Sequence, residues 1–192
     1  MGAKYVYWAP FATDDSATAA PTYGEAMQLS ELTTATFTPT MATGAQYGDN
    51  RKVEEISMFT GGTLVLEVTD LPAAARSALF GNTDVTGTGT AASSKQGGDD
   101  NPPAGGIVMI KEGIRNSVSY FEGYFFPKVK ATPGADAIAS RNASITPTGD
   151  ALNLSVMALA NAGAVYREIS PRQTTEAEAI AWCNAKLGIT AA

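Results

Sequence analysis

Histidine is absent from this chain of 192 residues, and cysteine occurs once. Without histidine there is no Ser-His-Asp or Cys-His catalysis, no imidazole general base and no access to the commonest zinc ligand. The single thiol, Cys183, cannot form an intrachain disulfide, and its apolar neighbours in a helical pattern predict a buried structural residue. Charge is also scarce, at 17% of residues with a net −6. A surface of that sign repels phosphate and excludes tight, sequence-independent nucleic-acid binding. Long apolar runs are missing too: none approaches the ~20 residues that cross a bilayer. The start, Met1-Gly2-Ala3-Lys4-Tyr5, lacks the basic-then-apolar build of a signal peptide, and Val6 stands where a myristoylation motif needs Ser or Thr. The chain is therefore expected to stay in the compartment where it is made, without a membrane partner.

What remains is rich in Thr, Gly and small residues, a balance that fits a mainly β domain of ordinary size spanning 1–192. Tyr5 to Ala9 is aromatic and β-branched and predicts a short strand of a kind suited to a sheet edge, stopping at Pro10. A Thr-rich strand is expected from Met27 to Thr40, a loop over 42–50, and a strand from Val53 to Phe59 that turns at Gly61-Gly62. In Thr63 to Thr69, Leu64, Leu66 and Val68 fall on one face and Glu67 on the other, the clearest strand pattern in the chain. Asp70 is placed to cap a short helix from Ala73 to Phe80, with Pro72 in its first turn and Gly81 closing it. Residues 82–106 are nearly pure Gly, Thr, Ala, Ser, Asp and Pro, and read as a long loop, mobile until something packs on it.

Strand character returns at Ile107 to Lys111 and at Val118 to Val129, where aromatics from Tyr120 to Phe126 are too closely spaced for one face, so both faces should be covered. Ala143 to Thr146, Leu152 to Val156 and Ala164 to Ile169 complete the expected strands. The last element is a helix opened by Thr175 and Glu178 in capping-box spacing, packing Ile180, Trp182, Cys183 and Leu187 and ending at Lys186 and Gly188.

No catalytic, metal or cofactor constellation emerges. Asp99-Asp100 beside Gly97-Gly98 lacks the further oxygen ligands of a calcium loop and reads as a solvated acidic turn. The glycine clusters lack the Lys-Ser/Thr ending of a phosphate loop. Glu54-Glu55 beside Arg51-Lys52 reads as a solvated face, as do Arg141, Arg167 and Arg172 unless they lie at subunit interfaces. The tripeptides at Asn142 and Asn153 match a glycosylation pattern that is irrelevant without secretion.

Several segments in order carry a resemblance: Lys4 to Pro10, Tyr47-Gly48-Asp49-Asn50, the Gly61-Gly62 strand through Asp70-Leu71, Leu79-Phe80-Gly81, Asp100 to Pro103, Tyr124 to Val129, and Thr174 to Leu187. Together they resemble the phi13-type family of phage major tail proteins over nearly the full chain. Segment 82–99 and Ala104, where relatives often carry an aromatic, depart from the family's pattern. The resemblance implies a β-sandwich or barrel-like tail tube fold with a flanking helix and no enzyme activity. It also implies homo-hexameric rings stacked into a tube, assembled in the bacterial host cytoplasm and carried in the virion. Tape measure, terminator and distal tail proteins are the implied partners, with phage DNA passing through unbound.

Six copies at −6 each place about −36 on a ring, so acidic groups on the lumen wall would keep DNA from sticking. Glu54, Glu67 and Glu122 are the candidates for that wall. Tyr47, Asp49, Asn50, Asp99 and Asp100, in the two expected loops, are the candidates for contacts between subunits. From another class, a non-catalytic β-sandwich that binds carbohydrate or a cell surface fits the same strand content, and a hydrolase with a carboxylate pair is a more distant alternative.

Overall fold

The structure, a computed structural model, describes residues 2–85, 93–133, 149–161 and 163–189. It is mainly β. The strands are β1 (Ala3–Thr13), β2 (Thr22–Tyr23), β3 (Met27–Gln28), β4 (Leu32–Gly48), β5 (Arg51–Val68), β6 (Thr83–Val85), β7 (Ser93–Lys95), β8 (Ala104–Arg115), β9 (Val118–Thr132), β10 (Asp150–Val156) and β11 (Glu168–Ile169). The helices are α1 (Ala73–Phe80) and α2 (Glu176–Leu187). One antiparallel sheet runs in the order β2-β1-β8-β9-β10-β5-β4, with β3 added to β1 and β11 to β9. β6 and β7 form a separate two-stranded ladder.

The sheet rolls up. β1 and β4 stand at opposite sides of the order yet approach each other. One buried cluster joins Val6 and Trp8 of β1 to Leu64, Leu66 and Val68 of β5, Ile107 and Met109 of β8, Phe126 of β9, and Leu152 and Leu154 of β10. Apolar side chains two residues apart meet on this inner face, and α1 contributes Ala75 and Leu79 to the same cluster. On the outer face Ala9, Val108, Ile110 and Phe125 are covered by Ala179, Cys183 and Leu187 of α2. β9 is thus buried on both sides, as its crowded aromatics predict.

Close approach explains two glycines. A Cβ on Gly123 would meet the Trp182 ring at 2.7 Å and Cys183 Sγ at 3.0 Å, so its absence lets α2 lie on β9. A Cβ on Gly105 would stand 2.3 Å from the Ala9 carbonyl oxygen and 2.7 Å from Trp8 Nε1. The helix starts as its sequence indicates, with Thr175 Oγ1 accepting from the Glu178 amide and the Glu178 carboxylate accepting from the Thr175 amide. Burial pushes the Cys183 thiol up to about 12, leaving it protonated and inert.

Several expectations are corrected. β1 does not stop at Pro10: the ring removes only an N–H, while the Pro10 carbonyl accepts from Gly24 at 2.8 Å and the strand continues to Thr13. β1 is no edge strand either, lying between β8 and the short β2 and β3. The stretch 27–40 is interrupted at Ser30, whose φ is 100°. Residues 42–50 are not a loop, and Gly61-Gly62 is not a turn. β4 and β5 form one long hairpin that reverses at Asp49 and Asn50, whose φ values of 49° and 60° are those of a tight two-residue turn. Gly62 sits mid-strand, where a Cβ would meet the Phe37 ring at 2.6 Å.

Asp70 does not cap α1; Pro72 holds the cap position and no side chain bonds there, although Gly81 closes the helix with φ 68°. Instead Asp150 Oδ2 accepts from the Leu71 amide at 2.9 Å and from Arg76 at 3.3 Å. The expected loop 82–106 carries β6 and β7, and its last three residues belong to β8. Only Glu168 and Ile169 of the stretch 164–169 are in a strand, and Ala164 has φ 43°. The expected strand Ala143 to Thr146, Arg141 and Asn142 lie outside the described residues.

One ion pair ties distant segments together. The Asp15 side chain is 3% exposed, 2.6 Å from Lys128 Nζ, and accepts from the Ala160 amide at 2.6 Å. Burial opposes its ionisation, but the Lys128 ammonium and the amide outweigh that and hold the carboxyl below its usual range. A depressed folded-state pKa gives stability that is complete above the unfolded value and is lost as pH falls through the folded one. Asp15→Asn should therefore flatten the stability curve on the acid side, below about pH 4. Urea melts of both chains across that range check it; equal acid slopes would remove Asp15 from the account.

Candidate functional site

The hairpin divides into two parts. From Gly62 to Val68, β5 is paired with β10 on one side and β4 on the other. From Arg51 to Gly61 its only partner among the described residues is β4. Beyond Thr40 the two strands therefore leave the rolled sheet as a ribbon with two open edges, about 25 Å long at ~3.3 Å per residue. Every residue in 41–47 and 49–58 is exposed. Its base is pinned by aromatics: Phe59 stacks on Tyr166 at 3.8 Å and 10°, and Tyr166 leans on Phe37 at 6.1 Å.

The ribbon is not polar. Val53 is 64% exposed, Ile56 59%, Met58 66% and Tyr47 70%. Glu54, Ile56 and Met58 alternate on one face, opposite the face of Phe59. Across from Ile56 and Met58 the ladder carries only Gly44 and Ala42, so both side chains stand proud of their partner strand. An isolated two-stranded ribbon is marginal in water, and unpaired edges invite further strands.

The second feature is the outer face that α2 leaves bare. Thr34, Thr36 and Thr38 of β4, Thr63, Val65 and Glu67 of β5, and Ala151, Asn153 and Ser155 of β10 alternate with buried or partly buried inner residues. This face is a band rich in hydroxyl and amide groups whose charges are Glu67 and, across from Ser155 on β9, Lys130. Such a surface offers phosphate one cation, the Lys130 ammonium, which donates to the Asn101 side-chain oxygen at 2.8 Å.

The three acidic candidates do not come together. Glu67 is exposed on that band. Glu54 lies on the ribbon, beside Ile56. Glu122 shares a face with Tyr124 and Phe126, is 13% exposed, and accepts from Arg172 Nε at 2.9 Å, so it is already neutralised. Of the candidate contact residues, Tyr47, Asp49 and Asn50 meet at the ribbon's tip. Asp99 and Asp100 belong to a separate turn after β7, where Asp100 accepts from the Gly97 amide at 2.7 Å. Ile56 and Met58 were missed, and the only signal was an apolar pair at two-residue spacing in a segment free of other core pattern.

Among the described residues no three His, Cys, Asp or Glu side chains are grouped to hold a metal, and no helix is long and apolar enough to cross a membrane. No protein-family model matches the chain, and no curated protein matches it.

Proposed function

We propose that this protein is the major tail protein of a tailed bacteriophage, a non-catalytic subunit that polymerises as stacked hexameric rings around a channel for DNA. The observation that carries the reading is the ribbon of residues 41–59, which exposes apolar side chains and two strand edges that a solitary subunit would leave in water. Ring closure would cover them, since a head-to-tail contact repeated about an axis uses up every donor and acceptor surface. The bare hydroxyl-rich face supports the same reading as the wall of the channel, where sparse charge, with Glu67 offsetting Lys130, would let DNA slide. The phage tail proteins that pass or terminate the tube, and the virion location, follow from this role.

Electron microscopy of the purified chain tests the assembly, with six-fold rings or tubes as the expected result. A stable monomer retained on a glycan support would favour a binding module instead. For the wall, Glu67→Lys should leave tubes intact while slowing DNA release in low salt, with recovery as salt screens the new attraction. Release at the normal rate in low salt would take Glu67 off the wall.

A further inference from the structure

The ribbon needs a receptor, and the same chain carries one. An apolar cleft of about 320 Å³ opens on the inner side of the rolled sheet, between Phe37 and Leu64 near the hairpin base and Met109, Tyr124 and Phe126 across from them. Its lining includes two cations, Lys111 and Arg167, and no carboxylate. Arg167 lies over the Phe37 ring at 5.4 Å. Glu122, opposite Lys111 in the ladder, is held by Arg172. The cleft is thus an apolar floor with two cationic groups that form no ion pair among the described residues, Glu122 being bonded to Arg172.

The ribbon's outer face has the complementary pattern: two projecting aliphatic side chains, Ile56 and Met58, with one carboxylate, Glu54, next in line at the same two-residue spacing. The chain does not seat its own ribbon in its own cleft, since Ile56 and Met58 are 59% and 66% exposed and neither lines the cleft. The occupant whose aliphatic pair and carboxylate match this cleft is the ribbon of a second copy.

We infer that Ile56 and Met58 of one copy insert into the cleft formed by Phe37, Leu64, Met109, Tyr124 and Phe126 of the next copy, with Glu54 reaching its Arg167 and Lys111. The contact is heterologous, a protruding element on one copy and a concave one on the other, so each subunit keeps a free ribbon and a free cleft until a ring closes. The aliphatic pair supplies the affinity and the charge pair fixes which way the ribbon enters. This inference rests on the self-assembly reading and adds its register.

Disulfide trapping tests it. The native thiol of Cys183 is buried and protonated, so it stays silent. Ile56→Cys and Ala35→Cys chains, Ala35 also lining the cleft, are mixed under mild oxidation. The expected product is a disulfide-linked pair that requires both variants, absent when Val118→Cys, exposed at a hairpin end far along the sheet order, replaces Ala35→Cys. In a second arm, Glu54→Lys should weaken assembly and Arg167→Glu added to it should restore assembly. If the wild-type chain assembles but the mixed disulfide does not form, the register is wrong and the tube reading stands. If the wild-type chain stays monomeric at all concentrations, both fall.

Discussion

Excising residues 43–57 and rejoining Ala42 to Met58 through an Asn-Gly turn should give a chain that melts like the parent and forms no assemblies at any concentration. Ala42 and Met58 face each other in the ladder, so a two-residue turn can close the shortened hairpin without changing the register below it. The excised residues other than Gly48 are exposed, and none belongs to either buried cluster. Their loss should leave urea unfolding of the isolated subunit within about 0.5 kcal/mol of the parent, as for surface changes generally. Sedimentation at rising concentration separates the outcomes. Continued assembly would mean that the subunits join through the rolled sheet itself, and a destabilised monomer would mean that the ribbon supports its own fold.

Trp8→Ala should cost about 3–5 kcal/mol, the range for deleting a large buried aromatic. Trp8 is 1% exposed, belongs to the inner cluster, and sits where β8 has a glycine so that the indole can approach the backbone. Neighbours shaped around that ring cannot collapse into the space, because β1 is held from both sides by β8 and by β2 and β3. Denaturant titration of the monomer, with the midpoint and slope compared, checks the figure. A loss below about 1 kcal/mol would show that β1 repacks freely.

Where burial is one-sided, the sequence was legible. Leu64, Leu66 and Val68 alternate with outward residues because one face of β5 meets the core, and the same holds for Leu152 and Leu154. α2 was readable to its caps, since Thr175, Glu178 and Gly188 do local chemistry that needs no tertiary partner. The ribbon was opaque for the opposite reason. The half from Val53 to Phe59 read correctly as a strand, but with both faces in water residues 41–50 carry no period, and Gly44, Gly48 and the Asp49-Asn50 pair made a strand look like a loop. Turn chemistry was present at Asp49 and Asn50, but it marks one reversal rather than nine residues of coil. Sidedness was the other blind spot: Glu67 and Glu122 look alike in sequence, yet one faces solvent and the other is tied to Arg172. Asp70 failed as a cap because the helix starts two residues further on, with Pro72 in the cap position, while the Leu71 amide is taken by Asp150, 79 residues away.

The tight turn at Asp49 and Asn50 limits how the ribbon can change over generations. Each strand position added to one side must be matched on the other or taken up as a bulge, as Val53 and Thr60 already are, and a single matched pair turns the whole distal segment over, exchanging the face of Ile56 and Met58 for the face of Ser57 and Phe59. Only two residues per strand, a step of roughly 7 Å, lengthen the ribbon with its faces preserved. Reach in this protein therefore behaves as a counted quantity: variants with longer or shorter hairpins fall into discrete sizes, and an intermediate size presents the wrong side to its neighbour.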